Sequence, residues 1–220
     1  GNQRLTFSLG GKVLGSARTD WTEGTAFFSI PAPEVGMHLV SVTLDADSRY
    51  TAPVAELVLV VCERDQPLLI TDVDHTLADA SGTDVLFKKP QDIPVVAGAP
   101  DVLARLSQRY QVVYLTARDD SMMNRTKEWL AVARLPKAPA LFWDITLSGQ
   151  PPLSHTKYKT QAVGRLAKEF SNLALGVGDL VGDAEAYLAN GIPAYIVLDR
   201  QDPASYPTGT HFIRDWWDLD

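Results

Sequence analysis

The sequence predicts a chain in two parts: a small all-β sandwich, then a Rossmann-like parallel sheet with helices on both faces. Three observations predict this. Residues 1–63 carry short, partly alternating apolar segments punctuated by glycine and proline. From Leu68 onward, continuous apolar runs alternate with helix-period segments. Between them lies the polar stretch ERDQP, residues 63–67. Short strands with frequent turns indicate a sandwich. Strand–helix alternation indicates a parallel sheet buried on both sides. The expected domains are 1–64 and 65–220.

Taken in order, RLTFSLGG, KVLGSARTD, GTAFFSIP, MHLVSVTLDAD and AELVLVVCE are the predicted strands of the first part. Val40, Val42 and Leu44 would share one face, as would Leu57, Leu59 and Val61. Five strands are fewer than the roughly seven of a complete sandwich. In the second part, PLLITD, QVVYLT, ALFWDITL, NLALGVGD and PAYIVL are predicted strands. PDVLARLSQRY is a predicted helix with Val102, Leu103 and Leu106 on one face. SMMNRTKEWLAVARL is a second, capped by Ser121, and TKYKTQAVGRLAKEF a third, capped by His155 or Thr156. DAEAYLAN is a fourth, stopped by Gly191, and FIRDWWDLD closes the chain. Residues 77–98 are expected to be a loop, either a flap over the rim or a rigid cover.

At 220 residues the chain suits one large domain, or a domain with a small companion. The net charge is −7 and Lys88-Lys89 is the only adjacent basic pair, which argues against a nucleic-acid partner. The one cysteine, Cys62, forbids an intrachain disulfide and favours a reducing, cytoplasmic compartment, with secreted or periplasmic placement left open. No apolar run is long enough to span a membrane, and no signal peptide is visible.

The chemistry is concentrated at strand ends. In an open parallel sheet, active groups collect beyond the carboxyl ends of the strands. Asp72 follows PLLIT, Thr116 follows QVVYL and Asp179 follows NLALGVG. Lys159 lies near the start of the helix after ALFWDITL. Asp72 and Asp74, two apart on an extended segment, can face one ligand. Clustered carboxylates become tolerable around a divalent cation, and oxygen-only ligands favour Mg²⁺. One acid can attack a phosphate while the other shuttles protons.

DVDHT (72–76), LT (115–116), Lys159 and GDLVGD (178–183) resemble, in order, the four motifs of the haloacid dehalogenase-like (HAD) superfamily. The resemblance implies Asp72 as nucleophile and metal ligand. It implies Asp74 as general acid/base, ligating the metal through its backbone carbonyl. Thr116 would hydrogen-bond the phosphoryl group, and Lys159 would balance negative charge. Asp179 and Asp183 would complete the metal site. Lys157 is a rival to Lys159; the YKTQAV pattern favours the latter. Arg118 is expected either to clamp phosphate or to pair with Asp119 or Asp120.

An acid at Asp74 is similar to phosphatases and phosphomutases rather than dehalogenases. Little room remains for a cap domain. The stretch PVVAGAPDVLARLSQRYQVVYLTARDDSMMNRTKEWLAVARLP is similar to lipin-type, phosphatidylinositol-transfer-protein and actin-patch phosphatidate phosphatase domains. That similarity implies a phosphoric monoester hydrolase acting on phosphatidate or another large or lipid phosphate, with peripheral membrane contact. A non-catalytic lipid- or partner-binding module stays open as the alternative. GTAFFSIPAPEVGMHLVSVTL resembles bacterial immunoglobulin-like modules.

Overall fold

A computed structural model describes residues 1–80, 82–143, 154–197 and 202–219, apart from the side chains of 82, 83 and 86. The chain divides into two compact units, Gly1–Glu63 and Arg64–Asp220.

The first unit is a four-stranded antiparallel sheet. Its strands are β1 (Arg4–Leu9), β2 (Lys12–Arg18), β3 (Gly36–Leu44) and β4 (Ala55–Val61), in the order β2-β1-β3-β4. Gly10 (φ 54°) and Gly11 (φ 82°) make the two-residue turn that returns β1 into β2, because both positions lie in the left-handed region. Leu5, Phe7 and Leu9 stand opposite Leu44, Val42 and Val40, so one face is apolar. The small all-β unit is present, as one antiparallel sheet rather than the two of a sandwich, and GTAFFSIP is not one of its strands. The Asp20 carboxylate accepts hydrogen bonds from the amides of Thr22, Glu23, Gly24 and Thr25, which winds the chain into a loop before it can pair. Pro31 and Pro33 remove two further donors. The segment instead lays Phe28 on Phe7, with ring centroids 4.9 Å apart.

The second unit holds a six-stranded parallel sheet. Its strands are β5 (Leu68–Thr71), β6 (Gln111–Asp119), β7 (Ala140–Trp143), β8 (Leu173–Gly178), β9 (Ala194–Val197) and β10 (Thr210–Ile213). Their order is β10-β9-β8-β5-β6-β7. The helices are α1 (Gly82–Phe87), α2 (Ala99–Leu106), α3 (Met123–Val132), α4 (His155–Glu169) and α5 (Val181–Leu188). Alternation along each strand feeds two cores. Leu69, Val112 and Tyr114 pack with Val102, Leu103 and Trp129 of α2 and α3. Leu68, Ile70, Val113 and Leu115 pack with Ala162, Val163, Ala184 and Tyr187 of α4 and α5. β5 is the switch point: the chain grows toward β7 on one side of it and toward β10 on the other, which opens a crevice at the strand ends.

The structure corrects several local expectations. Asp119, not Ser121, caps the turn that leads into α3, accepting from the Ser121 amide at 3.0 Å. Ser154, not His155 or Thr156, caps α4, accepting from the Lys157 amide at 3.1 Å. β10 went unforeseen, because THFI is short and half exposed. Residues 77–98 are not plain loop: they contain α1 and a 3-10 turn at Pro90–Asp92, where proline presets the first helical φ. The tail of ALFWDITL, beyond Trp143, lies outside the described residues.

Gly176 of β8 sits under Tyr187, and a Cβ there would run into the ring. Tyr187 is fully buried and its hydroxyl donates to the Val177 carbonyl at 3.0 Å, so it has no easy retreat. Gly176→Ala should therefore destabilise the second unit by roughly 1–3 kcal/mol, read as a lowered melting temperature by calorimetry.

Candidate active site

The site is built where β5, β6, β8 and the start of α4 converge. Asp72 stands one residue past β5, only 3% exposed, with its amide donating to the Val177 carbonyl of β8 at 2.9 Å. Asp179 and Asp183 follow β8, the second inside the first turn of α5. Oxygens of Asp72, Asp179 and Asp183 all lie within 4.8 Å of one another. Gly178 makes this approach possible, since a Cβ there would collide with the Asp183 side chain. The second Asp183 oxygen accepts from the Asp179 and Leu180 amides at 3.2 and 3.1 Å, closing the loop between the two acids.

Lys159, one turn into α4, reaches across to this group. Its Nζ donates to Asp72 Oδ1 at 2.6 Å and to Asp183 Oδ1. All three side chains are buried. Lys157, by contrast, is exposed. Thr76 donates from below, its hydroxyl 3.4 Å from Asp72 Oδ2 and 3.3 Å from Asp179 Oδ1.

Burial raises the Asp72 carboxyl well above its ordinary range; Lys159 pulls it back, and Asp183, Asp74 and Asp179 push it up further. Burial and the charge of Asp183 raise Asp179 to about 6. Burial pulls Lys159 down, but Asp183 and Asp72 more than offset this and hold the ammonium above its ordinary value. The cluster thus carries three acids against one fixed cation. Oxygen-only donors with an excess of negative charge fit a hard divalent ion such as Mg²⁺.

Asp74 does not join the cluster through its side chain. It turns to β6, where Arg118 grips it with Nε at 3.2 and 3.0 Å and Nη2 at 2.9 Å. Arg118 Nη1 donates onward to Thr126 of α3 at 3.0 Å. The Arg118 side chain is 2% exposed and that of Asp74 is 23% exposed, so the pair presents only its acid to solvent. The expected partners of Arg118, Asp119 and Asp120, are thus replaced by Asp74. Its guanidinium is engaged by that acid and by Thr126. Thr116, fully buried, donates to Asp74 Oδ2 at 3.4 Å and accepts from the Arg118 amide at 3.1 Å. With one proton, its hydroxyl can donate to only one acceptor at a time.

Three supporting residues were missed in the sequence. Trp216 donates to the Thr76 carbonyl at 2.8 Å from a fully buried position. Tyr206 donates to the Asp179 carbonyl at 2.7 Å. Thr126 holds Arg118. None belongs to a motif; each is brought in by packing. His75 takes φ 56°, a left-handed conformation that costs a side-chain-bearing residue about 1 kcal/mol.

The family profile described as PITM 1-3, LNS2 domain matches residues 69–199, more than half of the chain. No curated protein matches the sequence significantly. Among solved structures, D,D-heptose 1.7-bisphosphate phosphatase from B. bronchiseptica, complexed with magnesium and phosphate, superposes with TM-score 0.52 at 19% identity, over 70% of this chain and 95% of that one. A protein of Mesorhizobium loti assigned to the had-like phosphatases gives 0.52 at 18% identity, over 86% and 93%. A dehalogenase with an intermediate complex gives 0.50 at 12% identity, over 72% and 97%. At these identities the likeness is one of fold, and the fold is the HAD-like core.

In chelator-treated protein, Asp72 and Asp179 keep protons at pH values where unfolded carboxyls have lost them. The unfolded state then binds fewer protons than the native state, so this cluster's contribution falls as pH rises from about 4 through about 6. Asp179→Asn should flatten that decline, read as melting temperature against pH in EDTA.

Proposed function

Because the chain belongs to the PITM 1-3, LNS2 domain family, we propose that it is a Mg²⁺-dependent phosphoric monoester hydrolase that works through an aspartyl-phosphate. The observation that carries this reading is the buried group of Asp72, Asp179, Asp183 and Lys159, with Asp74 held two residues from Asp72 but on a separate partner.

Asp72 is the nucleophile. One of its carboxylate oxygens forms a bond to phosphorus as the bond to the ester oxygen breaks. Asp74, protonated for this step, gives its proton to the departing alkoxide, and the alcohol leaves. Water then attacks the aspartyl-phosphate while the Asp74 carboxylate takes its proton. The acyl-phosphate P–O bond breaks, releasing inorganic phosphate and restoring the Asp72 carboxylate. Lys159 stays charged throughout and keeps Asp72 oriented. Thr116 passes its hydrogen bond from Asp74 to a phosphoryl oxygen. Asp72, Asp179, Asp183 and the Asp74 backbone carbonyl would hold the metal, which offsets phosphoryl charge when bound.

The substrate is a large or lipid phosphate, phosphatidate in the first instance. The similarity of residues 94–136 to phosphatidate phosphatase domains supports this, as does the small size of the insertion after Asp74, a single short helix and a 3-10 turn. Residues 65–220 form the catalytic domain, and 1–64 an accessory module of immunoglobulin-like kind.

Asp72→Asn should abolish release of phosphate from p-nitrophenyl phosphate while the protein stays folded by circular dichroism, and EDTA should do the same to the unaltered protein. Binding of phosphatidate with no phosphate release under any metal would instead establish a non-catalytic lipid-binding module.

Arg118 is a positioning residue for Asp74, and the two should fail together. Arg118→Ala should lower kcat on an alkyl phosphate by about 100-fold or more, the usual worth of a placed general acid. The loss should be far smaller on p-nitrophenyl phosphate, whose leaving group needs no proton. Adding Asp74→Ala should cost little beyond Arg118→Ala alone. Equal losses on both substrates would mean a merely structural role.

A further inference from the structure

The segment between Asp74 and α2 has a feature that catalysis does not use. Its base is tied beneath the site: Ala78 bridges to Asp74 on one side and to Val95 on the other, and Asp79 donates to the Pro94 carbonyl. Val85, Pro90 and Ile93 are buried. At the end of α1, however, Phe87 is 85% exposed, the most exposed large apolar residue among those described. Lys88 and Lys89 follow it directly, both exposed, and form the chain's only adjacent basic pair. Lys88 makes a solvent-exposed ion pair with Asp84 at 3.1 Å, a contact of the kind that exchanges readily.

The backbone under this knuckle is held from α3. Arg125 donates from Nε to the Val85 carbonyl and from Nη2 to the Lys88 carbonyl. The next residue, Thr126, accepts from Arg118, which grips Asp74. Adjacent residues of one helix therefore anchor both the knuckle and the proton donor. A phenyl ring projecting beside two adjacent lysines makes a basic, apolar spot on a chain of net charge −7, with Asp84 on the Lys88 side and Asp92 three residues beyond Lys89. It suits a surface that is apolar within and anionic at its boundary. The ring can enter the headgroup–acyl boundary while the lysine stems lie along it and their ammonium groups meet lipid phosphates.

We propose that Phe87, Lys88 and Lys89 dock the protein on an anionic bilayer, so that the rim of the site faces lipid phosphates. This rests on the phosphatase reading for its purpose but not for its test. The full chain would be sedimented with vesicles of phosphatidylcholine alone, or with about 30 mol % phosphatidylglycerol or phosphatidate. Binding is expected to both anionic vesicles and not to neutral ones. Lys88→Glu/Lys89→Glu should weaken it by about tenfold or more, since each lysine near an anionic surface is worth about fivefold. Phe87→Ser should weaken it as well, and Phe87→Leu should restore it. All variants should turn over p-nitrophenyl phosphate as the unaltered protein does, while losing turnover of vesicle-borne phosphatidate. Absence of vesicle binding, or binding indifferent to these substitutions, would overturn the proposal. Binding to phosphatidate vesicles alone would also overturn it, since that would be capture by the active site. Failure to hydrolyse the aryl phosphate would count against the phosphatase reading and leave the docking result standing.

Discussion

The Lys159 ammonium between Asp72 and Asp183 is the contact on which the site depends. All three groups are nearly inaccessible to water. A buried charge costs several kcal/mol unless it is paired and hydrogen-bonded. Here one cation must serve three acids, because Asp179 shares the same space. If all three ionise, two negative charges remain uncompensated. The upward shifts of Asp72 and Asp179 are the response to that excess. A divalent cation has the charge that would balance it. The same argument explains why removing Lys159 would damage more than one hydrogen bond: it would strand every acid at once.

The frame exists to bring these groups together. Asp72, Asp179 and Lys159 come from two strand ends and a helix start, far apart in sequence, and converge because β5 and β8 are neighbours at the switch point. Gly178 and Gly176 leave space for Asp183 and Tyr187 to approach the strand. Trp216, near the end of the described chain, fastens the Thr76 carbonyl from beneath. Packing interactions remote from the cluster thus set its ångström-scale geometry.

What could be read in advance follows from this physics. A strand buried on both faces must be a continuous apolar run, so LLIT and VVYL announced themselves, and with them the positions of Asp72 and Thr116. The choice of Lys159 over Lys157 rested only on the likeness of YKTQAV to a family pattern; in the fold Lys159 is buried against Asp72 and Lys157 is exposed. Side-chain pairings were less legible. Arg118 lies beside Asp119 and Asp120 in sequence, yet Asp119 points to the opposite face of the strand and Asp120 has left it for the 3-10 turn, and the partner is Asp74 on the adjoining segment. THFI was too short and too exposed to signal a strand. GTAFFSIP alternates well enough to suggest one, but the Asp20 loop that precedes it and the prolines that follow decide otherwise.

The two acids of DVD are separated by environment rather than by distance along the chain. Asp72 is sealed in with Lys159, where its carboxylate is shielded from water and oriented by a fixed charge. Asp74 keeps part of its surface in solvent while Arg118 and Thr116 hold its other side. A nucleophile benefits from exclusion of water, and a group that must exchange protons benefits from access to it. On the proposed mechanism, swapping the environments would disable both acids with every residue still present. The partner of each acid, an ammonium for one and a guanidinium fork for the other, therefore sets its environment as much as its place in the chain does.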